Sequence, residues 1–140
     1  MAAGHTIGVH VLLSGIVGST AYGLATPESD IDLLGVFAVP TIELHGLHTP
    51  IETVTTSQPD TTYHEARKFS ALALSGNPTV SELVWLPPDL YQTSTELGRE
   101  LIAIRSAFLS AKAVRDSYLG YASQQFRRLG PGAPATRRMW

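Results

Sequence analysis

The sequence predicts an α/β or α+β domain with a small β-sheet, and three observations support this fold class. Apolar, β-branched segments concentrate in the first half of the chain, whereas helical spacing of apolar residues prevails after residue 66. The chain has 140 residues, which is enough for one hydrophobic core. Its hydrophobic content of 44% and charged content of 16% are typical of a folded protein and argue against disorder.

Three segments have the composition of strands. Residues 7–15 and 30–40 are apolar and end at a glycine or a proline, which predicts two buried strands. Residues 51–58 are rich in β-branched side chains and predict an edge strand or a hairpin arm. Residues 60–66 are expected to be extended before helical spacing begins.

The helices are predicted from helical spacing and from the glycine and proline residues that separate them. The predicted helices span residues 19–25, 41–47, 66–75, 79–86, 94–105 and 107–129. In the last of these, apolar and aromatic residues recur on one face, as in a helix that packs against a core.

The chain divides by composition into residues 1–92, which hold the predicted sheet, a helical C-terminal extension at 93–129, and a Gly/Pro-rich flexible tail at 130–140. The tail ends at Trp140, which is compatible with a truncated chain.

The sequence has no cysteine, so disulfides and thiolate metal sites are excluded. No apolar run reaches the roughly 18 residues that span a bilayer, and the N-terminus lacks a secretory signal. We therefore expect a cytoplasmic protein without a membrane partner; the oligomeric state stays open.

Acidic and basic residues are separated along the chain. Residues 1–66 carry seven acidic residues and no Lys or Arg, whereas residues 101–140 carry seven basic residues and one acidic residue. An acidic region repels a polyphosphate unless cations bridge the two, and a basic region attracts it. The alternative interpretation is that these are solvated faces that differ in sign.

Two aspartates interrupt the second predicted strand. In a strand, Asp30 and Asp32 lie on the same face with Ile31 in the core, about 7 Å apart. The two carboxylates repel each other unless water screens them or a cation neutralises them, and oxygen ligands at this spacing suit Mg²⁺. The alternative is that Asp30 caps a turn and Asp32 lies at an exposed strand edge.

A glycine-serine turn precedes the aspartates. Glycine allows close approach to an anion, and Ser19 offers an N–H group and a hydroxyl. A turn that opens a helix also directs unpaired N–H groups at a phosphate. The sequence around Gly18 lacks the glycine spacing and the lysine of a P-loop. A phosphate-binding turn followed by a metal-binding aspartate pair points to a Mg-bound nucleoside triphosphate.

These residues resemble a known signature. Gly18-Ser19, a spacer of ten residues and Asp30-Ile31-Asp32-Leu33 match the DNA polymerase beta superfamily of nucleotidyltransferases. The longer strings GSTAYGLATPESDIDLLGV, DTTYHEARKF and SGNPTVSELVW are similar to its branch of predicted nucleotidyltransferases linked to RNA repair and found in phages. The resemblance covers about residues 12–86, and more loosely the helices to 129. It implies a small mixed sheet flanked by helices, with residues 1–92 as the nucleotidyltransferase core.

The resemblance also implies three catalytic carboxylates. Asp30 and Asp32 would be ligands of two Mg²⁺ or Mn²⁺ ions. A third carboxylate on a neighbouring strand would bind the second ion and act as general base, and the matching position is Asp60. Glu65 is the rival for this role and Glu52 a weaker one. Without the resemblance, a surface N-cap is as good an interpretation of Asp60.

The nucleotide would be held by the turn and by a base. Gly18 and Ser19 are expected to contact the β- and γ-phosphates, and Lys68 is favoured over Arg67 as a further triphosphate contact. Tyr22 is expected to pack rather than to stack on a nucleobase. The five histidines show no metal-ligand spacing and are predicted to be structural or surface residues.

The predicted function is Mg-dependent transfer of a nucleoside monophosphate to an acceptor hydroxyl, with release of pyrophosphate. The acceptor could be an RNA end, a protein side chain or a small molecule, and the basic C-terminal helix favours nucleic acid. One alternative is a catalytically inactive nucleotide-binding or toxin–antitoxin-type module on the same fold. Another is a structural domain whose Asp pair has no function. Asn77, Pro78 and Glu82 fit the same branch, but the sequence assigns them no chemistry. Asn77-Pro78 is most simply a helix stop, and Glu82 is either a cap partner or a polar wall of the cleft.

Overall fold

The computed structural model describes residues 10–28 and 30–129, and its centre is one five-stranded sheet. The strands are β1 (Val11–Val17), β2 (Asp32–Phe37), β3 (Thr53–Ser57), β4 (Asp60–Glu65) and β5 (Tyr91–Ser94). Their order in the sheet is β3-β4-β2-β1-β5. β2 and β4 run parallel and all other neighbours run antiparallel, so the sheet is mixed.

Five α-helices accompany the sheet within these residues. They are α1 (Thr41–Leu44), α2 (Ala66–Leu74), α3 (Pro78–Val84), α4 (Glu96–Ala103) and α5 (Ala111–Leu129). Short 3₁₀ helices occur at Pro88–Leu90 and Arg105–Phe108. The predicted fold class, a mixed α/β domain with a small sheet and a helical C-terminal part, is confirmed.

The core lies between the sheet and the helices α2 and α3. The buried apolar residues come from β1, β2, both helices, the segment after α3 and the second 3₁₀ helix: Leu13, Val17, Leu34, Val36, Phe69, Ala73, Val80, Leu83, Val84, Leu86 and Phe108. Local sequence signals explain the ends of the two helices. Gly76 follows α2 with a φ of +77°, and α3 begins after Asn77, whose side chain accepts a hydrogen bond from the Val80 N–H at 3.1 Å. Pro78 occupies the first turn of α3, where its missing N–H is not needed.

Two predictions around the site were wrong. Residues 19–25 form turns rather than a helix, with the Leu24 N–H donating to the Ser19 carbonyl at 2.9 Å. Gly18 and Gly23 both have positive φ angles, which a right-handed helix does not allow. The second strand begins at Asp32 rather than at residue 30, so Ile31 lies outside it and is 51% exposed instead of buried.

The C-terminal part also differs from expectation. β5 was not predicted, and it pairs with β1, so the sheet extends to Ser94 and the following helix is shorter than proposed. None of the described residues of α5 is buried, so the apolar face predicted to pack is largely open to solvent.

No helix of the described residues is both long and apolar enough to cross a membrane. The start of the first predicted strand, before residue 10, and the predicted tail at 130–140 lie outside the described residues.

Candidate active site

Two aspartates lie side by side at one end of the sheet. Asp32 is the first residue of β2 and Asp60 is the first residue of β4, and the parallel ladder pairs them directly. Adjacent strands are about 4.8 Å apart, and paired residues point to the same face. On this face the next residue of β2 is Leu34, which belongs to the core. The two carboxylates therefore lie where the helix-covered face of the sheet reaches solvent.

The glycine turn follows β1 and contacts the same carboxylate. Val17, the last residue of β1, pairs with Asp32, so Gly18 comes directly beside it. Gly18 has a φ of +77°, and a Cβ there would lie 2.9 Å from Asp32 Oδ2. Only glycine combines this backbone conformation with so close an approach.

The backbone N–H of Gly18 already has a partner. It donates to Glu82 Oε1 on α3 at 3.0 Å, which the sequence did not predict. Burial raises the pKa of Glu82, the bond from Gly18 lowers it, and the negative charge of Asp32 raises it further. Glu82 is thus a polar wall of this site, which was one of the two roles that the sequence left open for it. The signals for it were its match to the pattern of the family branch and its place one helical turn after the Asn77-Pro78 helix start.

A cavity of about 350 Å³, here called the carboxylate cavity, joins these groups. Its lining residues are Val17, Gly18, Asp32, Leu33, Leu34, Asp60, Thr62, His64, Thr79 and Glu82. A wider groove beside it is lined by Asp30, Asp32 and Asp60, together with the hairpin between β3 and β4. The structure therefore brings the three predicted carboxylates to one groove, with Asp30 exposed two residues ahead of β2.

His64 lines the carboxylate cavity, although the sequence predicted only a structural or surface role for it. Burial lowers its pKa, and the nearby positive charge of Lys68 lowers it further. Its Nδ1 lies 3.0 Å from Thr53 Oγ1 on β3. The alternation of Asp60, Thr62 and His64 along β4 was a signal that could have placed all three on one face.

The rival carboxylates have structural partners instead. Glu65 is buried and caps α2, where it accepts hydrogen bonds from the N–H groups of Arg67 at 2.9 Å and Lys68 at 3.3 Å. Glu52 forms an ion pair with Lys68 at 3.9 Å. Asp60 is therefore the candidate third carboxylate that faces Asp32.

Ser19 and Lys68 are less directly placed than expected. Ser19 belongs to the turn after Gly18. The positive charge of Lys68 lowers the pKa of His64, which lines the carboxylate cavity. Among the described residues that line the carboxylate cavity and the groove beside it, neither is present.

The donor set suits a hard divalent cation bound together with a substrate. Within residues 10–28 and 30–129, no three Asp, Glu or His side chains come close enough to hold a metal ion by themselves. Mg²⁺, however, is usually bound by one or two carboxylates, with phosphate oxygens and water completing its octahedral shell. The adjacent carboxylates of Asp32 and Asp60 fit that arrangement.

Two comparisons with known proteins bear on the family of the chain. A family model described as "RNA repair pathway DNA polymerase beta family" matches residues 2–139. The chain is also similar to an uncharacterized 38.9 kDa protein from the nrdC-mobD intergenic region of Enterobacteria phage T4, with 29% identity over 125 residues. That similarity includes 81% of this chain and 37% of the phage protein, so the chain spans little more than a third of that relative. The resemblance drawn from the glycine-serine turn and the aspartate pair is confirmed.

Proposed function

The chain belongs to the RNA repair pathway DNA polymerase beta family, and from this premise we propose that it transfers a nucleoside monophosphate from a nucleoside triphosphate to an acceptor hydroxyl. One observation carries the proposal. Asp32 and Asp60 are paired in register at the open end of the sheet, and Gly18 lies against Asp32. Two carboxylates beside a glycine turn suit the binding of a metal-bound triphosphate.

In this proposal Asp32 and Asp60 hold the cation, and Asp30 joins them from the adjoining groove. Mg²⁺ or Mn²⁺ would neutralise charge on the phosphoryl oxygens and stabilise the attacking and leaving oxygens. Asp60 accepts the proton of the acceptor hydroxyl, whose oxygen forms a bond to the α-phosphorus. The bond between the α-phosphorus and the bridging oxygen breaks, and pyrophosphate leaves with those electrons.

Gly18 and Ser19 hold the β- and γ-phosphates, but one of their donors is in use. The Gly18 N–H is bonded to Glu82, so a phosphate oxygen must share or replace that carboxylate. The Ser19 N–H and hydroxyl make no hydrogen bond within the described residues, which leaves both available to a phosphate. Lys68 is proposed to neutralise the triphosphate from the side of His64.

Among the possible acceptors, we propose RNA. The last turn of α5 carries Arg127 and Arg128, both exposed, and Arg115 lies on the same helix. Basic side chains on an open helix bind phosphate backbones without regard to sequence. The description of the family as part of an RNA repair pathway points the same way.

The test is transfer of an α-labelled nucleotide to RNA oligonucleotides in the presence of Mg²⁺ or Mn²⁺. We expect labelled RNA from the wild-type chain, and none after removal of the cation with EDTA. Asp32→Asn should lower transfer at least about 100-fold, because it removes a carboxylate from the site where phosphoryl charge is neutralised.

Asp89→Asn is the matched control. Asp89 is exposed in the first 3₁₀ helix and lines neither the carboxylate cavity nor the groove beside it, so its loss should leave transfer unchanged. Labelling that survives in Asp32→Asn would contradict the proposal. Nucleotide binding without transfer in the wild-type chain would instead support the inactive nucleotide-binding module.

A further inference from the structure

A second cavity, here called the aromatic cavity, adjoins the carboxylate cavity and has a volume of about 310 Å³. Three aromatic side chains from three separate segments line it: Tyr22 from the glycine turn, Trp85 at the end of α3 and Tyr118 from α5. Their exposed fractions are 68%, 45% and 52%, so none of the three side chains is buried in the core. The expectation that Tyr22 packs is therefore wrong.

Glu82 connects the two cavities, because it lines both of them. Tyr22 is also tied to the phosphate turn, since its N–H donates to the Gly18 carbonyl at 3.3 Å. Tyr22 and Glu82 both line the aromatic cavity, and the negative charge of Glu82 is the main cause of the raised pKa of Tyr22. A molecule held at Gly18 can thus continue past Glu82 toward the three rings.

The indole of Trp85 is held in place from one side. The guanidinium of Arg105 lies 4.2 Å from the centre of its ring, within the range of a cation–π contact. A ring that is fixed in this way loses little further freedom when a flat ligand stacks nearby. The cavity volume also falls at the lower end of the range of sites that hold small molecules.

We propose that the aromatic cavity binds a nucleobase. This inference rests on the proposed function, because the substrates of that reaction are what would bring a base to the neighbouring cavity. Aromatic side chains stack on bases with little regard to their identity, so all four bases should bind, and purines more tightly through their larger faces. The base can come from the nucleoside triphosphate or from the terminal nucleotide of an RNA acceptor, and the experiment separates the two sources.

The first measurement is isothermal titration calorimetry with Mg²⁺ and either ATP or inorganic tripolyphosphate, which has no base. When the base is that of the nucleotide, Tyr22→Ala and Tyr118→Ala should each weaken ATP binding about 5- to 100-fold and leave tripolyphosphate binding unchanged. When the base is that of the RNA acceptor, the same variants should weaken binding of an RNA oligonucleotide by that factor instead. Tyr121→Ala is the control, because Tyr121 is 61% exposed on α5 and does not line the aromatic cavity. Both tyrosines are exposed, so melting temperatures should stay close to that of the wild type.

The second measurement locates the base and its source. In a Trp140→Phe background Trp85 is the only tryptophan, and a base that stacks in the cavity should quench its emission. Quenching by ATP but not by tripolyphosphate assigns the base to the nucleotide. Quenching by an RNA oligonucleotide, but not by the same oligonucleotide with an abasic 3′ end, assigns it to the acceptor.

Several results would overturn this inference. One is equal binding of ATP and tripolyphosphate together with equal binding of the RNA oligonucleotide and its abasic counterpart, with Tyr22→Ala indistinguishable from Tyr121→Ala for every ligand. Another is an emission from Trp85 that neither ATP nor the RNA end changes. Label transfer that depends on Asp32 would still uphold the proposed function in either case. Conversely, base-dependent binding without label transfer would uphold the aromatic cavity while the proposed function fails.

Discussion

The carboxylate cavity and the aromatic cavity share Glu82 but are built from different parts of the fold. Asp32 and Asp60 start two strands of one hydrogen-bonded ladder, so the sheet itself sets the distance between them. The aromatic cavity combines a turn, the end of α3 and α5, a helix with no buried residue among those described. Groups that must stay in register thus lie on the rigid element, and rings that only need to face a flat ligand lie on more open segments.

The largest expected effect separates catalytic from structural carboxylates on β4. Asp60→Asn should reduce label transfer at least about 100-fold with little change in melting temperature, because Asp60 is exposed and is proposed to serve the reaction. Glu65→Gln should leave label transfer nearly unchanged and lower the melting temperature. It weakens the cap of α2 by about 0.5–2 kcal/mol, which lowers the melting temperature by several degrees.

Calorimetric melting and transfer per folded molecule distinguish the two variants of β4. If Glu65→Gln abolished transfer below its melting temperature while Asp60→Asn retained it, Glu65 rather than Asp60 would be the third carboxylate. The catalytic site would then include the start of α2, which Glu65 caps.

The next effect concerns the glycine turn that joins the two cavities. Gly18→Ala and Gly23→Ala both force a Cβ into a left-handed conformation, at a cost of about 1–2 kcal/mol each. Only the Cβ at Gly18 meets Asp32 Oδ2, whereas a Cβ at Gly23 meets nothing within 4 Å. Both variants should therefore lose similar stability, but Gly18→Ala should lose at least about tenfold more transfer activity. Equal activity losses would mean that the contact with Asp32 is unimportant.

The smallest effect is the pH dependence of stability at Glu82. Burial and Asp32 hold the folded-state pKa of Glu82 above the ordinary value of 4.5. Stability from its proton is therefore fully present below about pH 4.5 and is lost as the pH rises through the raised value. Glu82→Gln keeps an oxygen for the Gly18 N–H but does not titrate. The melting temperature of the variant should therefore increase relative to that of the wild type as the pH rises.

Glu100→Gln, at an exposed position of α4, is the control for this pH series and should follow the wild type. A constant difference between Glu82→Gln and the wild type from pH 4 to pH 8 would contradict the raised pKa. The measurement needs no nucleotide, so it tests the environment of Glu82, which lines both cavities, independently of any catalytic activity.

Much of the fold could be predicted from local patterns. Apolar segments located β1 and β2, β-branched residues located β3, and the extended stretch expected at residues 60–66 contains β4. Gly76, Asn77 and Pro78 marked the boundary between α2 and α3 because each has a local backbone preference. The four-residue β5 carries no comparable pattern, so it was missed. The helix predicted at residues 19–25 was wrong because the positive φ angles of Gly18 and Gly23 outweigh the helical spacing.

The sequence by itself determined the family and the residue types of the site, because the glycine-serine turn and the aspartate pair are close together in the chain. Only the tertiary structure decided that Asp60 faces Asp32, since their register depends on the pairing of strands that are not consecutive in the chain. The bond between Gly18 and Glu82 joins residues 64 positions apart. Likewise, the exposure of Tyr22 beside Trp85 and Tyr118 depends on where a turn and two helices meet. Local periodicity reports which face of an element is buried, but it carries no information about which distant element will cover it.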